Sequence, residues 1–428
     1  MVDLLIRGDS EDIAIEDGVI VAVRDGLDVK ATREIDARGL LVLPGVIDVH
    51  VHFNEPGREH WEGAATGSRA FATGGGTLYF DMPLNSTPCT VGVREFERKR
   101  AALHRSSVTD FALWGGIVPG NRSALAELAG LGVIGFKAFM SDSGLPEFPR
   151  SDDLTLYDAL VEAAKVGLPV AVHAENDEIT GDLARRAQAE GRTGIRDYLN
   201  SRPIIAEVEA IHRAALLARE AKAKLHIVHI SSGHGVAAAM EAIKAGTDLT
   251  IETCAHYLFF TEEDVERIGA AAKCAPPLRP VAVREEMLQC LVDGEIDIVA
   301  SDHSPAPLEM KQDANFFKVW GGIAGVQSTL AVLLNIKKLP VQAVARMLAG
   351  NPAKRFRIPN KGRIAAGYDA DLVLVDPTVE YGLKAEDLRQ RHAISPYIGH
   401  RFRGAIRQTF LRGVEAPQES KGRFVRPN

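Results

Sequence analysis

The sequence is poor in cysteine. Cys89, Cys254, Cys274 and Cys290 are the only four in 428 residues, and no two of them form a C-x-x-C pair. This argues against a zinc knuckle or a thioredoxin-like redox motif. So few cysteines in a long chain fit a reducing compartment. The start, "MVDLLIRGDS", carries no signal-peptide pattern, so the expected location is the cytoplasm. Long apolar runs are missing too. Nothing approaches the roughly 20 residues that cross a bilayer, and no membrane partner is expected. Nor is there a basic excess: 50 Lys and Arg stand against 57 Asp and Glu, a net charge of -7. That balance leaves no electrostatic footprint for nucleic acid. No low-complexity segment stands out, and 46% hydrophobic with 25% charged residues describes an ordinary globular chain.

What is present divides by texture. Up to Gly45 the chain reads as short strands and turns: "DLLIRG", "DIAIEDGVIVAVRDG" and "EIDARGLLVLPG". The "EDG" from Glu16 to Gly18 is a hairpin signal between alternating runs. From residue 46 to 355, apolar strands alternate with amphipathic helices. The strand candidates are "GVIDVHVH", "GTLYFDMP", "DFALWGGIV", "VIGFKAF", "LPVAVHAE", "KLHIVHISS", "LTIETCAH" and "IDIVASDHS". Nearly continuous apolar strands separated by helices imply parallel strands buried on both faces. Eight such units predict an α/β fold built on a (β/α)8, TIM-like barrel. From residue 356 to 428 the β texture returns in "GRIAAGYDADLVLVD". Those strands are expected to pair with residues 1–45 in a small β-sandwich made from both chain ends. The tail "ESKGRFVRPN" is polar and is expected to be less ordered.

Polar residues recur where these strands end. His50 and His52 close the first, Lys137 lies in the fourth, His173 and His229 end the fifth and sixth, and Asp302 ends the eighth. Each has an ordinary explanation alone. A single histidine is more often a hydrogen-bonded core residue, and Asp302 in "SDHSP" is good capping or turn chemistry. Lys137 is harder to explain, because an ammonium inside a barrel is costly. The ordinary explanations also require six coincidences at one end of one barrel, the end where barrel active sites gather.

A chemical reason unites the set. Four neutral imidazoles and one carboxylate can hold two divalent cations if a further anion bridges them. A neutral lysine amine reacts with carbon dioxide to give a carbamate with two oxygen donors. Burial lowers the lysine pKa and favours that reaction. Zinc is the expected metal, with cobalt, manganese and iron also compatible with imidazole and carboxylate ligands.

With these residues in place, "DVHVHFNEPG", "GFKAF", "VAVHAEN", "HIVHISS", "IVASDHSP" and the end strand together resemble the amidohydrolase superfamily, in its cyclic-amidase branch. The likeness spans nearly the whole chain. It implies a binuclear site held by His50, His52, a carboxylated Lys137, His173, His229 and a catalytic Asp302. It also implies a barrel with a split β-sandwich and a homotetramer. Within the branch, "DMPLNSTP", "FMSDSG", "KCAPPLR", "SDHSPAP" and "FKVWGGIAGVQ" are most similar to the allantoinase family, which implies a small neutral cyclic ureide as substrate. Dihydroorotases usually place arginine where this chain has Asn54, to clamp a substrate carboxylate. Hydantoinases and dihydropyrimidinases usually place tyrosine five residues after the lysine, where this chain has Asp142. These two groups, and a non-enzymatic assembly protein on the same fold, are the alternatives. Asn85, Ser141, Ser143 and Ala275 are the expected substrate contacts, with Lys311–Gln327 as a lid. Cys274 lacks an evident base and is not expected to act as a nucleophile.

Overall fold

Asp17 and Gly18 both adopt left-handed backbone, with φ of 50° and 78°. This two-residue turn matches the twist of the strands it joins, and it pairs Asp12–Glu16 with Val19–Arg24. The computed structural model, which describes residues 1–428, adds Val2–Arg7 and Ala31–Asp36 to complete a four-stranded sheet. Leu41–Pro44 crosses into a second sheet, antiparallel to Leu372–Gly382, with Arg401–Leu411 and Val414–Ala416 beyond it. Leu4, Ile6, Ile13 and Ile15 from one chain end pack with Leu372, Leu374 and Phe410 from the other. The two ends therefore share one small core.

Eight parallel strands form the barrel: Val46–Val51, Gly76–Asp81, Asp110–Leu113, Phe136–Phe139, Pro169–His173, Lys224–Ile227, Leu249–Cys254 and Ile298–Ala300. Gly115–Gly116 continues the third strand and pairs with Phe136 and Lys137. The ring closes where the His52 amide donates to the His303 carbonyl at 2.8 Å. Inside, Ile47, Val49, Leu78, Phe80, Ala112 and Trp114 form a second apolar cluster with Ala171 and Ile298. Phe356 packs against Trp114 and His226, its ring centre 5.3 and 5.4 Å from theirs. The barrel is thus filled with side chains and is not a pore.

Helix placement also follows from sequence. Residues Ile204–Ala221 bury Ala206, Ala210, Ala214 and Ala218, every fourth position along one stripe. Asn176 caps the helix Asp177–Ala189, its side chain accepting from the Ile179 amide at 3.1 Å. Ser232 does the same for Gly233–Lys244, accepting from Gly235 at 3.1 Å. Both caps follow a histidine at the barrel mouth by three residues and fix where the next helix begins.

The tail differs from expectation. Arg423 and Val425 exchange backbone hydrogen bonds with Phe111, at 3.0 and 2.8 Å. The Phe424 ring centre lies 5.8 Å from those of both Phe96 and Phe111. The Phe424 ring and these backbone hydrogen bonds together anchor an otherwise polar segment to the barrel.

Candidate metal centre

Four imidazoles form a chain across the C-terminal mouth of the barrel. Ring centres are 5.5 Å apart for His52 and His50, 5.4 Å for His50 and His229, and 4.6 Å for His229 and His173. Asp302 joins them from just beyond the eighth strand. Its Oδ1 lies 3.2 Å from His50 Nε2 and 3.4 Å from His52 Nε2. The donor atoms of His50, His52 and Asp302 all fall within 4.8 Å of one another.

The backbone is unusual at the same end. His229 and Asp302 adopt left-handed φ values of 40° and 43°, and Asn54 and Asn85 of 66° and 70°. Such conformations cost of the order of 1–3 kcal/mol each and persist where the surrounding fold imposes them. Here they turn His229, Asp302 and Asn85 toward the mouth, beyond the points where the strands end.

Buried carboxylates orient the imidazoles from behind. Glu252 lies 2.9 Å from His50 Nδ1 through Oε1 and 2.8 Å from His226 Nε2 through Oε2, and it also accepts from the His229 amide at 3.2 Å. Glu175 takes His173 Nε2 at 2.8 Å and pairs with Arg202 on its other side. With one nitrogen of each ring engaged this way, His50 is left with Nε2 and His173 with Nδ1 toward the centre.

The charge states suit metal ligands. Burial pulls His52 down to about 4. Burial, then the neighbouring His173, Lys137 and His50, holds His229 well below its ordinary value. These rings are therefore neutral, with lone pairs available. Burial alone would raise Asp302, but His50, His52 and His256 outweigh it and hold the carboxyl low and ionised. Burial pulls Lys137 down to about 8. Its ammonium nitrogen, fully buried, has no hydrogen-bond partner, and neither have His52 Nδ1 and His229 Nδ1.

These observations test whether the residues fit a pair of divalent cations. His173 Nδ1 faces His229 Nε2 at 3.0 Å. The free lone pairs of neutral rings converge there, a carboxylate stands beside them, and a lysine nitrogen is left orphaned. A buried polar set of this kind is costly unless a further group satisfies it. The donor chemistry fits the metals. A second acidic group, Asp110, Asp369 and Asp371, does not. Lys361 Nζ sits among those carboxylates at 2.9, 2.8 and 2.6 Å and neutralises them.

A cavity of about 350 Å³ opens above the centre. His50, His52, His173, His229 and Asp302 line its floor, and Lys137 lies buried beneath. Asn85 and Ala275 line the wall, Asn85 Nδ2 reaching Ser304 Oγ at 3.4 Å. Ser143 also lines it, but its hydroxyl donates to the Phe148 carbonyl at 2.6 Å. Ser141 is buried outside the lining, its hydroxyl without a partner. Asn54 is fully buried and does not face the cavity. Phe317 to Gly322, within the expected lid, form one side.

Several residues around the site were not singled out in the sequence: Glu175, Arg202, Glu252 and Lys273. Glu252 left a signal, a carboxylate in the middle of the apolar strand "LTIETC". Glu175 left a weaker one, two positions after a strand-end histidine. Arg202 and Lys273 come from connecting segments and meet the site only through the fold.

A sequence model of the amidohydrolase family matches residues 41–416. An allantoinase of Solibacter usitatus (strain Ellin6076) is 63% identical, over 98% of this chain and 93% of its own length. One of Rubrobacter xylanophilus is 54% identical, over 99% and 98%. Among solved structures, the L-hydantoinase (dihydropyrimidinase) from Arthrobacter aurescens superposes with a TM-score of 0.96 at 33% identity, covering all of both chains. A D-hydantoinase (dihydropyrimidinase) from Thermus sp. superposes with a TM-score of 0.92 at 27% identity, covering 99% of each.

Proposed function

The chain belongs to the amidohydrolase family, and from that premise we propose that it hydrolyses the ring amide of allantoin, a neutral ureido-hydantoin, to the ring-opened acid allantoate. It is a cyclic amide hydrolase. The observation that carries the choice of ring is 63% identity over nearly the full length with a protein named allantoinase. The hydantoinases share the fold at much lower identity.

His50, His52 and Asp302 would hold one divalent cation, and His173 and His229 the other. Lys137, carboxylated by carbon dioxide, would bridge them. Zinc suits this set, as do cobalt, manganese and iron. When bound, the metals supply a Lewis acid for the ring carbonyl and a water acidic enough to attack near neutral pH. Asp302 accepts the proton of the attacking water on its carboxylate and returns it to the departing ring nitrogen. Its Oδ1 faces the two imidazoles, which leaves Oδ2 free for the proton. Glu252 and Glu175 keep His50 and His173 in one tautomer throughout. Asn85, Ser143 and the Ala275 backbone position the ring and its ureido arm, with Ser141 as support from behind.

The working protein is read as a cytoplasmic homotetramer. No helix is long and apolar enough to cross a membrane. Leu154, Ile205 and Leu216 expose large side chains on two neighbouring helices, apolar area that a subunit contact would cover. Light scattering measures the assembly. The deciding experiment on function is a panel of allantoin, hydantoin, dihydropyrimidine and dihydroorotate, run on metal-replete enzyme with bicarbonate. Allantoin should give the highest kcat/KM; a higher value for any other ring replaces this reading.

A further inference from the structure

Two lysines beside the cavity are buried without an acidic partner. Lys273 Nζ donates to the carbonyls of Phe316, at 2.6 Å, Phe317, at 3.2 Å, and Val319. It also lies 4.4 Å from the centre of the Tyr198 ring and 5.2 Å from that of Phe316. Lys311 Nζ donates to the carbonyls of Trp320 at 2.9 Å, Gly322 at 2.8 Å and Ala270 at 3.3 Å. An ammonium taken out of water requires compensation. Here it comes in part from backbone dipoles and ring faces, while burial, with Arg202 and Lys311 nearby, still pulls Lys273 down to about 7, and burial pulls Lys311 down to about 8.

The acceptors lie in one place. Five of the six carbonyls belong to Phe316–Gly322, most of which lines the cavity. The segment contains no helix or strand over this span, so no ladder fixes its backbone. The Gly322 amide returns a hydrogen bond to the Lys273 carbonyl at 2.8 Å, closing the arrangement from the other side. Lys273 is also directly followed in sequence by Cys274 and Ala275, which line the same cavity.

We propose that Lys273, assisted by Lys311, is a positioning residue for substrate binding: its ammonium gathers the Phe316–Gly322 carbonyls and holds that wall of the cavity in shape. The inference rests on the cavity being the substrate site. The two lysines occupy the carbonyl lone pairs and tie the wall to the segment after the seventh strand. Without them the carbonyls lose their donors and the segment loosens. Binding suffers first, because the metal ligands and Asp302 lie on other elements.

The test compares Lys273→Met and Lys311→Met with the wild-type enzyme, each at measured metal content. Each variant should raise KM for allantoin at least about 10-fold, change kcat less than about 3-fold, and speed amide exchange at Phe316, Trp320 and Gly322. A loss of kcat equal to or greater than the KM effect, or unchanged KM and exchange, overturns the proposal. Should the variants not fold, exchange in the wild-type protein decides. Those three amides should be protected as well as the barrel strands, and rapid exchange there overturns the proposal equally. If wild-type enzyme fails to hydrolyse allantoin, the substrate assignment falls, while the exchange result still judges the anchoring.

Discussion

Glu252 Oε1 lies 2.9 Å from His50 Nδ1, inside a barrel where neither group meets water. That contact makes His50 a donor on one side and a lone-pair ligand on the other. Burial alone would raise the Glu252 carboxyl, but His50 and His226 outweigh it and hold it down at about 2. Glu252→Gln keeps the shape and removes the charge, and its amide group no longer enforces one tautomer. We expect metal affinity to fall about 10–100-fold, the usual scale for such partners. Titration against a competing chelator measures it, and unchanged affinity would show that the contact is only structural.

Chelators should remove up to two divalent ions per chain together with the activity. Metal analysis alongside the assay follows both. Full turnover in protein rigorously freed of metal would exclude the binuclear centre.

Asp302→Asn preserves volume and removes the proton acceptor. Turnover should fall at least ~10²-fold, as is typical when a general base is lost. Metal content must be determined in the same sample. Near-normal turnover with full metal content would assign the proton transfer to another group.

Lys137→Ala should lose bridged metal binding and activity together, and a small carboxylic acid should partly restore both by filling the vacated space. Burial places the wild-type amine at about 8. The neutral form that reacts with carbon dioxide therefore grows as pH rises through that value. Reconstitution of apoenzyme at a fixed dissolved carbon dioxide concentration should accelerate accordingly. An unmodified amine at this position in active, metal-loaded enzyme would remove the carbamate from the account.

Asn54→Arg tests a position that the sequence associated with substrate choice. The structure buries Asn54 completely, with φ of 66° and no exposure to the cavity. An arginine there would be a strained, unpaired buried cation, costing on the order of 3 kcal/mol. We expect a lower melting temperature, with the substrate preference of the folded fraction retained. A switch toward carboxylated rings at undiminished stability would restore the specificity role.

How much of this was legible in the sequence depends on how each feature is encoded. The barrel was legible because parallel strands buried on both faces leave unbroken apolar runs. Polar intruders such as His173 and Lys137 stand out against those runs. The hairpin at Asp17 and Gly18 was legible because few residues accept that backbone. The anchoring of Phe316–Gly322 was not. Lysines in connecting segments look like solvated surface, and only the fold reveals that Lys273 and Lys311 are spent on carbonyls. Arg202 was hidden for the same reason, since its partner Glu175 is brought to it by the return of the chain. The order of the tail was not legible, because a polar average hides the Phe424 contacts and the backbone hydrogen bonds made to Phe111.

The sheet shared by the two chain ends constrains biosynthesis. Leu43 pairs with Val373, so the first strands leave the ribosome long before their partners exist. At about 5–20 residues per second, the wait is on the order of tens of seconds. During that time the Leu41–Pro44 edge stays open beside an incomplete barrel. Open edges of this kind recruit other chains. A high concentration of unfinished chains should therefore yield aggregates, and fewer initiations per unit time or a holding chaperone should increase soluble yield more than any stabilising change within the barrel.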